Sequence, residues 1–115
     1  MPHEALITVT DAMFAEVVLQ HPGPVVVDFW ADWCPPCRPV AALLADLAGE
    51  FRDRLVIASV NADENPRATR DYQVMSMPTL LFFRAGIVVR SIVGARPKAQ
   101  FRQAFEDFVT PYVNR

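Results

Sequence analysis

The chain has 115 residues, of which 52% are hydrophobic and 21% charged, and its net charge at pH 7 is -2. This composition predicts one folded domain, residues 1–115, and excludes a disordered chain. The charge gives no indication of binding to nucleic acid or to an anionic membrane, and no apolar run approaches the roughly 20 residues of a membrane-spanning helix.

The first ten residues lack the basic start and the long apolar run of a signal peptide. We therefore expect a cytosolic protein. In that reducing compartment a close pair of cysteines is more often catalytic or metal-binding than structural.

Strands and helices are predicted to alternate along the chain. The run Val25–Trp30 is apolar except for Asp28, which is typical of a strand buried on both faces. Thr10 is predicted to cap the first helix, with Asp11 in its first turn. The predicted strands are residues 5–9, 25–30, 55–60, 79–83 and 87–93. The predicted helices are residues 10–20, the segment from the cysteines to residue 51, residues 65–72, and a last helix from residue 97.

Two of the helices carry clear apolar stripes at helical spacing. The stripes are Val40, Leu44, Leu47 and Phe51 in the second helix, and Phe101, Phe105, Phe108 and Tyr112 in the last. The order β-α-β-α-β-α-β-β-α predicts an α/β fold. Its central mixed sheet of about five strands has a parallel front and an antiparallel hairpin at residues 84–86, and helices cover both faces.

Cys34 and Cys37 lie where the buried strand gives way to a helix. We expect Cys34 at the helix N-terminus, exposed, where free N–H groups and the helix dipole stabilise a thiolate and lower its pKa. Cys37, one turn deeper, is expected to be shielded and within bonding distance. Pro35 and Pro36 fix the turn between the two sulfurs. The predicted roles are attacking thiol for Cys34 and resolving thiol for Cys37.

Two other readings of the cysteines stay open at this point. Both could be inert core residues, since free cysteine is commonly buried. Both could bind zinc, which usually takes four ligands and would require His3 and His21 to complete the set. The order of these residues is unlike that of a zinc finger, and the histidines are more simply read as surface residues.

Asp28 is the second unusual residue, because burying a carboxylate among Val26, Val27 and Phe29 is costly. It could be a core aspartate with satisfied hydrogen bonds. Alternatively, desolvation raises its pKa and it accepts and donates the proton of Cys37.

Four motifs, in the right order over nearly the whole chain, closely resemble those of the thioredoxin family. They are the active-site segment 27–37, the segment 61–66, Met77-Pro78-Thr79 and Val93-Gly94. The resemblance implies a mixed sheet flanked by four helices and an enzyme that reduces protein disulfides.

The resemblance also implies roles for individual residues. Cys34 would be the nucleophile, Cys37 the resolving thiol and disulfide partner, and Asp28 the buried acid/base. The peptide bond before Pro78 would be cis and face the cysteines. The substrate would dock on an apolar patch formed by Trp33, Met77, Pro78, Val93, Gly94 and Ala95. Electrons would come from a flavin- and NADPH-dependent thioredoxin reductase, and the chain, a monomer, would need neither a cofactor nor a metal of its own.

Three positions depart from the usual family pattern. The dipeptide between the cysteines is Pro35-Pro36 instead of Gly-Pro. Ser59 stands where the family often has a lysine beside the buried aspartate. Ala42 stands where a kinking proline is common, and Pro39 lies earlier in the helix. These differences bear on redox potential and proton handling, and leave the reaction class unchanged.

Two competing functions remain at the level of sequence. One is a disulfide oxidase or isomerase of the same fold, a class that usually carries histidine between the cysteines and an export signal. The other is a binding module that holds a partner on the apolar patch without redox chemistry. Retention of both cysteines argues against the second.

Overall fold

The computed structural model describes residues 6–110, which form a mixed five-stranded sheet with helices on both faces. The strands are β1 (Leu6–Thr8), β2 (Val25–Trp30), β3 (Val56–Asn61), β4 (Thr79–Arg84) and β5 (Ile87–Val93). The α-helices are α1 (Cys37–Glu50), α2 (Pro66–Asp71) and α3 (Lys98–Val109). The predicted order of elements is confirmed. Ala5 and Tyr112, included in the predicted elements, lie outside the described residues.

The first helical segment is less regular than predicted. It consists of a 3₁₀ turn at Asp11–Met13 followed by a π-helical turn at Ala15–Leu19, closed by a 2.9 Å bond from Gln20 N–H to the carbonyl of Ala15. Its buried residues Phe14 and Val18 still face the sheet.

The capping expected of Thr10 is wrong, because its side chain makes no capping hydrogen bond. Asp11 serves instead as a cap for a different helix. Its carboxylate accepts the N–H groups of Arg67 and Ala68 at 3.0 and 2.9 Å, in the first turn of α2, and its own N–H donates to Oδ1 of Asn65 at 2.8 Å. These bonds satisfy N–H groups that have no partner within the helix.

The strand order in the sheet is β1-β3-β2-β4-β5. The pairs β1/β3 and β2/β3 are parallel, while β2/β4 and β4/β5 are antiparallel. The sheet thus has a parallel half followed by an antiparallel half, as the element order predicts. Strand β2, which leads into the cysteine motif, lies in the centre of the sheet, and all its residues up to Phe29 are buried.

Two apolar layers pack on the sheet. On one face, the stripe of α1 and the phenylalanines of α3 pack against Val26, Ile57, Leu80 and Phe82. On the other face, the N-terminal helical segment and α2 pack against Val25, Val27, Phe29 and Phe83. Both predicted stripes are buried over the residues described. None of the helices within residues 6–110 is long and apolar enough to cross a bilayer.

The β4–β5 hairpin is confirmed, with Ala85 and Gly86 as its central residues. Their φ angles are 52° and 79°, and two positive φ values are what a tight type I′ hairpin turn requires. Glycine adopts such a φ without cost, whereas alanine does not.

Candidate functional site

The two cysteines lie in the turn that connects β2 to α1. Helix α1 begins at Cys37. Cys34, which the sequence predicts at the helix N-terminus, therefore precedes the helix by one turn. Cys37 N–H donates to the carbonyl of Cys34 at 3.1 Å, which closes the turn. The prolines explain the difference, since a residue before proline is disfavoured in the helical region and Pro35 and Pro36 delay the regular helix.

Both sulfurs are buried and joined in a disulfide. The Cα atoms of Cys34 and Cys37 are 5.4 Å apart, and the two residues are 6% and 3% exposed. The pairing predicted from the family resemblance is therefore present. The expectation that Cys34 is freely exposed is wrong, because Ala31 and Met77 pack against the cysteine pair.

The loop around Pro78 supplies that cover. The Met77–Pro78 peptide bond is cis, as the resemblance implies. The carbonyl oxygen of Met77 lies 3.3 Å from Cys34 Sγ, close enough to accept a hydrogen bond from the reduced thiol. Pro78 itself is buried and its carbonyl accepts the N–H of Gly94 at 2.8 Å. This hydrogen bond joins the loop at Pro78 to the loop at Gly94 beside the cysteines.

The surface next to the disulfide is apolar and partly exposed. Trp33 is 61% exposed and Val93 is 51% exposed. Met77 and Gly94 are half-buried and Ala95 is exposed. Together with Pro78 these residues are called the docking patch below. An exposed apolar surface of this kind beside a reactive group is typical of a protein-binding site.

Two polar residues that the sequence analysis did not single out hold the docking patch in place. Asp63 Oδ2 accepts the indole N–H of Trp33 at 2.8 Å, thirty residues away in sequence. Arg96 donates to the carbonyls of Val93 and Ala95 at 2.9 and 3.1 Å. Asp63 lies in a motif quoted for the family resemblance, but no pattern in the sequence connects it to Trp33. Arg96 directly follows a predicted patch residue, which was a signal available in the sequence.

Asp28 lies in the middle of β2, on the sheet face that α1 covers. It is 1% exposed, and neither of its carboxyl oxygens has a hydrogen-bond partner among the described residues. Burial raises the pKa of its carboxyl group to about 7, since desolvation disfavours the charged form. The described residues therefore do not satisfy the hydrogen bonds of a core aspartate at this position, and the acid/base role of Asp28 stays a prediction.

The structure also locates the positions that depart from the family pattern. Ser59 pairs with Asp28 across β3 and β2, at the place where the family often has a lysine. Pro39 lies in the first turn of α1, where a missing N–H costs no helical hydrogen bond. Ala42 lies on an exposed side of the same helix.

The zinc-site reading has no support in this geometry. The two sulfurs are bonded to each other. Nδ1 of His21 accepts the N–H of Gly23 at 2.9 Å inside its own turn, and His3 lies outside the described residues.

Comparison with known proteins gives a consistent family. The family model Thioredoxin matches residues 5–107. The thioredoxin of Mycobacterium tuberculosis H37Rv is 46% identical over 110 residues, which cover 96% of this chain and 94% of that protein. The thioredoxin of Alicyclobacillus acidocaldarius is 42% identical over 103 residues, covering 90% of this chain and 97% of that protein.

One relative is a longer protein. The bifunctional thioredoxin reductase/thioredoxin of Mycobacterium leprae is 45% identical over 108 residues, which cover 94% of this chain. The chain spans only 23% of that relative's length.

Proposed function

The chain belongs to the thioredoxin family of thiol–disulfide oxidoreductases, and from this premise we propose that it reduces protein disulfides with Cys34 as the nucleophile and Cys37 as the resolving thiol. The observation that carries the assignment of roles is the disulfide between these two residues beside the docking patch. Cys34 Sγ lies against the Met77 carbonyl at the edge of that patch, while Cys37 is the first residue of α1.

Reduction proceeds in two exchanges. The Cys34 thiolate attacks one sulfur of the substrate disulfide, forms a mixed disulfide with it and releases the other sulfur as a thiolate. Cys37 then attacks Cys34 Sγ, the internal disulfide forms, and the second substrate sulfur leaves with the electron pair. The substrate gains two electrons, and the cysteine pair loses them.

Asp28 is proposed as the acid/base for the second exchange. Its buried carboxyl group lies on the face that α1 covers, and Cys37 begins that helix. Because its pKa is raised to about 7, it can accept a proton from the Cys37 thiol and return it near neutral pH.

The docking patch is proposed to bind an extended segment of the substrate protein. Trp33, Val93 and Ala95 offer exposed apolar surface, and Pro78 fixes the loop on which Met77 is carried. This apolar surface supports the proposal that the substrates are protein disulfides.

A thioredoxin reductase that uses NADPH is proposed as the electron donor. The name of the Mycobacterium leprae relative joins a thioredoxin and a thioredoxin reductase in one protein, which supports this pairing. We place the reaction in the reducing cytosol, because the oxidised pair has to be reduced again after each turnover. We also propose a single domain over residues 1–115 that acts as a monomer without a bound cofactor.

The test is reduction of insulin disulfides driven by NADPH and a thioredoxin reductase. The wild-type chain should support NADPH consumption and precipitation of the insulin B chain. The double variant Cys34→Ser/Cys37→Ser should support neither. If the wild-type chain supported neither NADPH consumption nor precipitation of the B chain, the reading as a redox-independent binding module would be the correct one. Equal activity of the double variant would contradict the roles proposed for Cys34 and Cys37.

A further inference from the structure

A cavity reaches the cysteine pair by a path separate from the docking patch. It has a volume of about 390 Å³ and lies between the sheet edge formed by β1 and β3 and the start of α1. Its lining includes Thr8, Ser59, Cys37 and Ala41, and it meets solvent at the exposed residues Asp32 and Arg38. Of the described residues that make up the docking patch, none lines this cavity.

A row of polar side chains runs across the sheet toward this cavity. Thr8 pairs with Ser59 across β1 and β3, and Ser59 pairs with Asp28 across β3 and β2. Paired residues of neighbouring strands lie on the same face and about 4.8 Å apart. Thr8 and Ser59 line the cavity but Asp28 does not. The Ser59 hydroxyl therefore stands between the buried carboxyl group and the cavity.

Of the two residues paired with Asp28 in the neighbouring strands, Ser59 is the polar one. On the opposite side the partner of Asp28 in β4 is Leu80, which is apolar and fully buried. The titratable groups that line the cavity are Asp32, Arg38 and, in the reduced protein, the thiols of Cys34 and Cys37. Because both carboxyl oxygens lack a hydrogen-bond partner among residues 6–110, any proton that Asp28 takes up needs a further group to carry it to solvent.

We propose that Ser59 relays protons between Asp28 and water in this cavity, so that the resolving step exchanges its proton on a side of the site away from the bound substrate. This inference rests on the proposed function. A serine hydroxyl can carry out the relay, because it donates one hydrogen bond and accepts others at the same time.

Cys37 gives its thiol proton to the Asp28 carboxylate, and its thiolate attacks Cys34 Sγ of the mixed disulfide. The bond between Cys34 Sγ and the substrate sulfur breaks, and that sulfur leaves with the electron pair. The Ser59 hydroxyl makes no hydrogen bond to Asp28 in this structure and has to rotate toward the carboxyl group first. The proton on Asp28 then passes to Ser59 Oγ while the hydroxyl proton of Ser59 passes to cavity water, which restores the carboxylate.

The test uses the reduced protein and the small aromatic disulfide 5,5′-dithiobis(2-nitrobenzoic acid), with thiolate release followed in a stopped-flow instrument. The first phase reports the attack of Cys34 and the second the resolving attack of Cys37. The leaving thiolate needs no proton, so the second phase depends on proton removal from Cys37 alone. Ser59→Ala should slow the second phase roughly tenfold, and it should leave the first within about a factor of two.

Further variants separate the relay from a structural effect. Ser59→Thr keeps the hydroxyl and should restore the second phase and its pH profile. Ala41→Leu places a larger side chain in the cavity while residue 59 stays serine, and should also slow the second phase. Ser91→Ala and Ala99→Leu make the same changes at exposed positions away from the site and should change neither phase. In Ser59→Ala the second phase should also show a larger solvent deuterium isotope effect than in the wild type.

The relay is overturned if the second phase and its pH profile are unchanged in Ser59→Ala, or if both phases slow together. A normal second phase in Ala41→Leu would overturn the cavity as the route. If Ser59→Ala does not fold, Ala41→Leu and Ser59→Thr still decide the question. Failure of the proposed function is distinguishable, since it would remove the first phase from the wild-type protein as well.

Discussion

Asp28 and Ser59 are paired residues of the parallel strands β2 and β3, and both lie on the sheet face that α1 covers. Ser59 brings no charge to this pair. The desolvation of Asp28 is therefore not offset by a cation, and burial raises the pKa of its carboxyl group to about 7. The consequences can be measured as a pH dependence of folding stability.

Asp28→Asn should change how stability depends on pH. The unfolded chain has an ordinary Asp pKa of about 3.9, so between about pH 4 and pH 7 the native state holds a proton that the unfolded state has lost. The stability due to this group is complete below about pH 4 and is lost as pH rises through about 7. The unfolding free energy of the variant minus that of the wild type should thus increase by about 1.4 kcal/mol for each pH unit in this window.

Urea unfolding of both proteins from about pH 5 to about pH 8 measures this difference. Asp53→Asn makes the same change at an exposed position and is the matched control for the substitution itself. A constant difference between Asp28→Asn and the wild type across this range would contradict the raised pKa.

Much of the fold could be predicted because the signals are local. The bounds of β2 follow from one uninterrupted apolar run, and the stripes of α1 and α3 follow from helical spacing. The site residues Cys34 and Cys37 were recognisable for the same reason, since one short motif holds them.

What the sequence did not predict depends on contacts between distant segments. Cys34 is buried because the loop at Met77, 43 residues away, packs on it. Asp11 caps α2 and not its own helix because the fold brings residues 11 and 68 together. The cavity at Ser59 requires the register of three strands and the position of α1, none of which is fixed by a local pattern.

Cys37→Ser should accumulate substrates as mixed disulfides, while Cys34→Ser should not. Without Cys37, the disulfide between Cys34 and a substrate cannot be resolved from within the molecule. Affinity capture from a cell lysate, with elution by dithiothreitol and non-reducing electrophoresis, compares the two variants directly. Equal amounts of captured protein with both variants would contradict the proposed division of roles.

Asp11→Ala should lower the unfolding free energy by about 1 to 2 kcal/mol, the usual cost of losing an N-terminal cap. The carboxylate accepts two N–H groups in the first turn of α2, and both would lose this partner. Thr10→Ala is the matched control, because Thr10 makes no capping bond and its substitution should be nearly neutral. Chemical denaturation of both variants checks this, and a larger loss for Thr10→Ala would mean that the sequence-based assignment of the cap was correct.

Ala85→Asn should stabilise the β4–β5 hairpin by about 1 kcal/mol. Ala85 has a φ of 52°, a conformation that costs most L-residues about that amount and that asparagine adopts more readily. Thermal melting compares the variant with Ala95→Asn, a substitution at an exposed position without a positive φ. An unchanged or lower melting temperature for Ala85→Asn would show that the turn gains nothing from asparagine.

Asp63→Ala should weaken the use of protein substrates without affecting the chemistry at the cysteines. The carboxylate of Asp63 holds the indole N–H of Trp33 at 2.8 Å. Because Trp33 is 61% exposed, its ring depends on this bond for a fixed orientation in the docking patch. Loss of one solvent-exposed hydrogen bond, about 0.7 to 1.4 kcal/mol, corresponds to roughly a threefold to tenfold rise in KM for insulin, with kcat retained.

Two comparisons make this last prediction specific to the position of Trp33. The small disulfide 5,5′-dithiobis(2-nitrobenzoic acid) makes little use of the docking patch, so its reduction by Asp63→Ala should proceed at the wild-type rate. Glu64→Ala removes the neighbouring exposed carboxylate, which does not accept the indole N–H of Trp33, and KM for insulin should not change. If Asp63→Ala slowed both disulfides equally, the carboxylate would act on the cysteines and not through Trp33, and the docking patch would have to be defined without this bond.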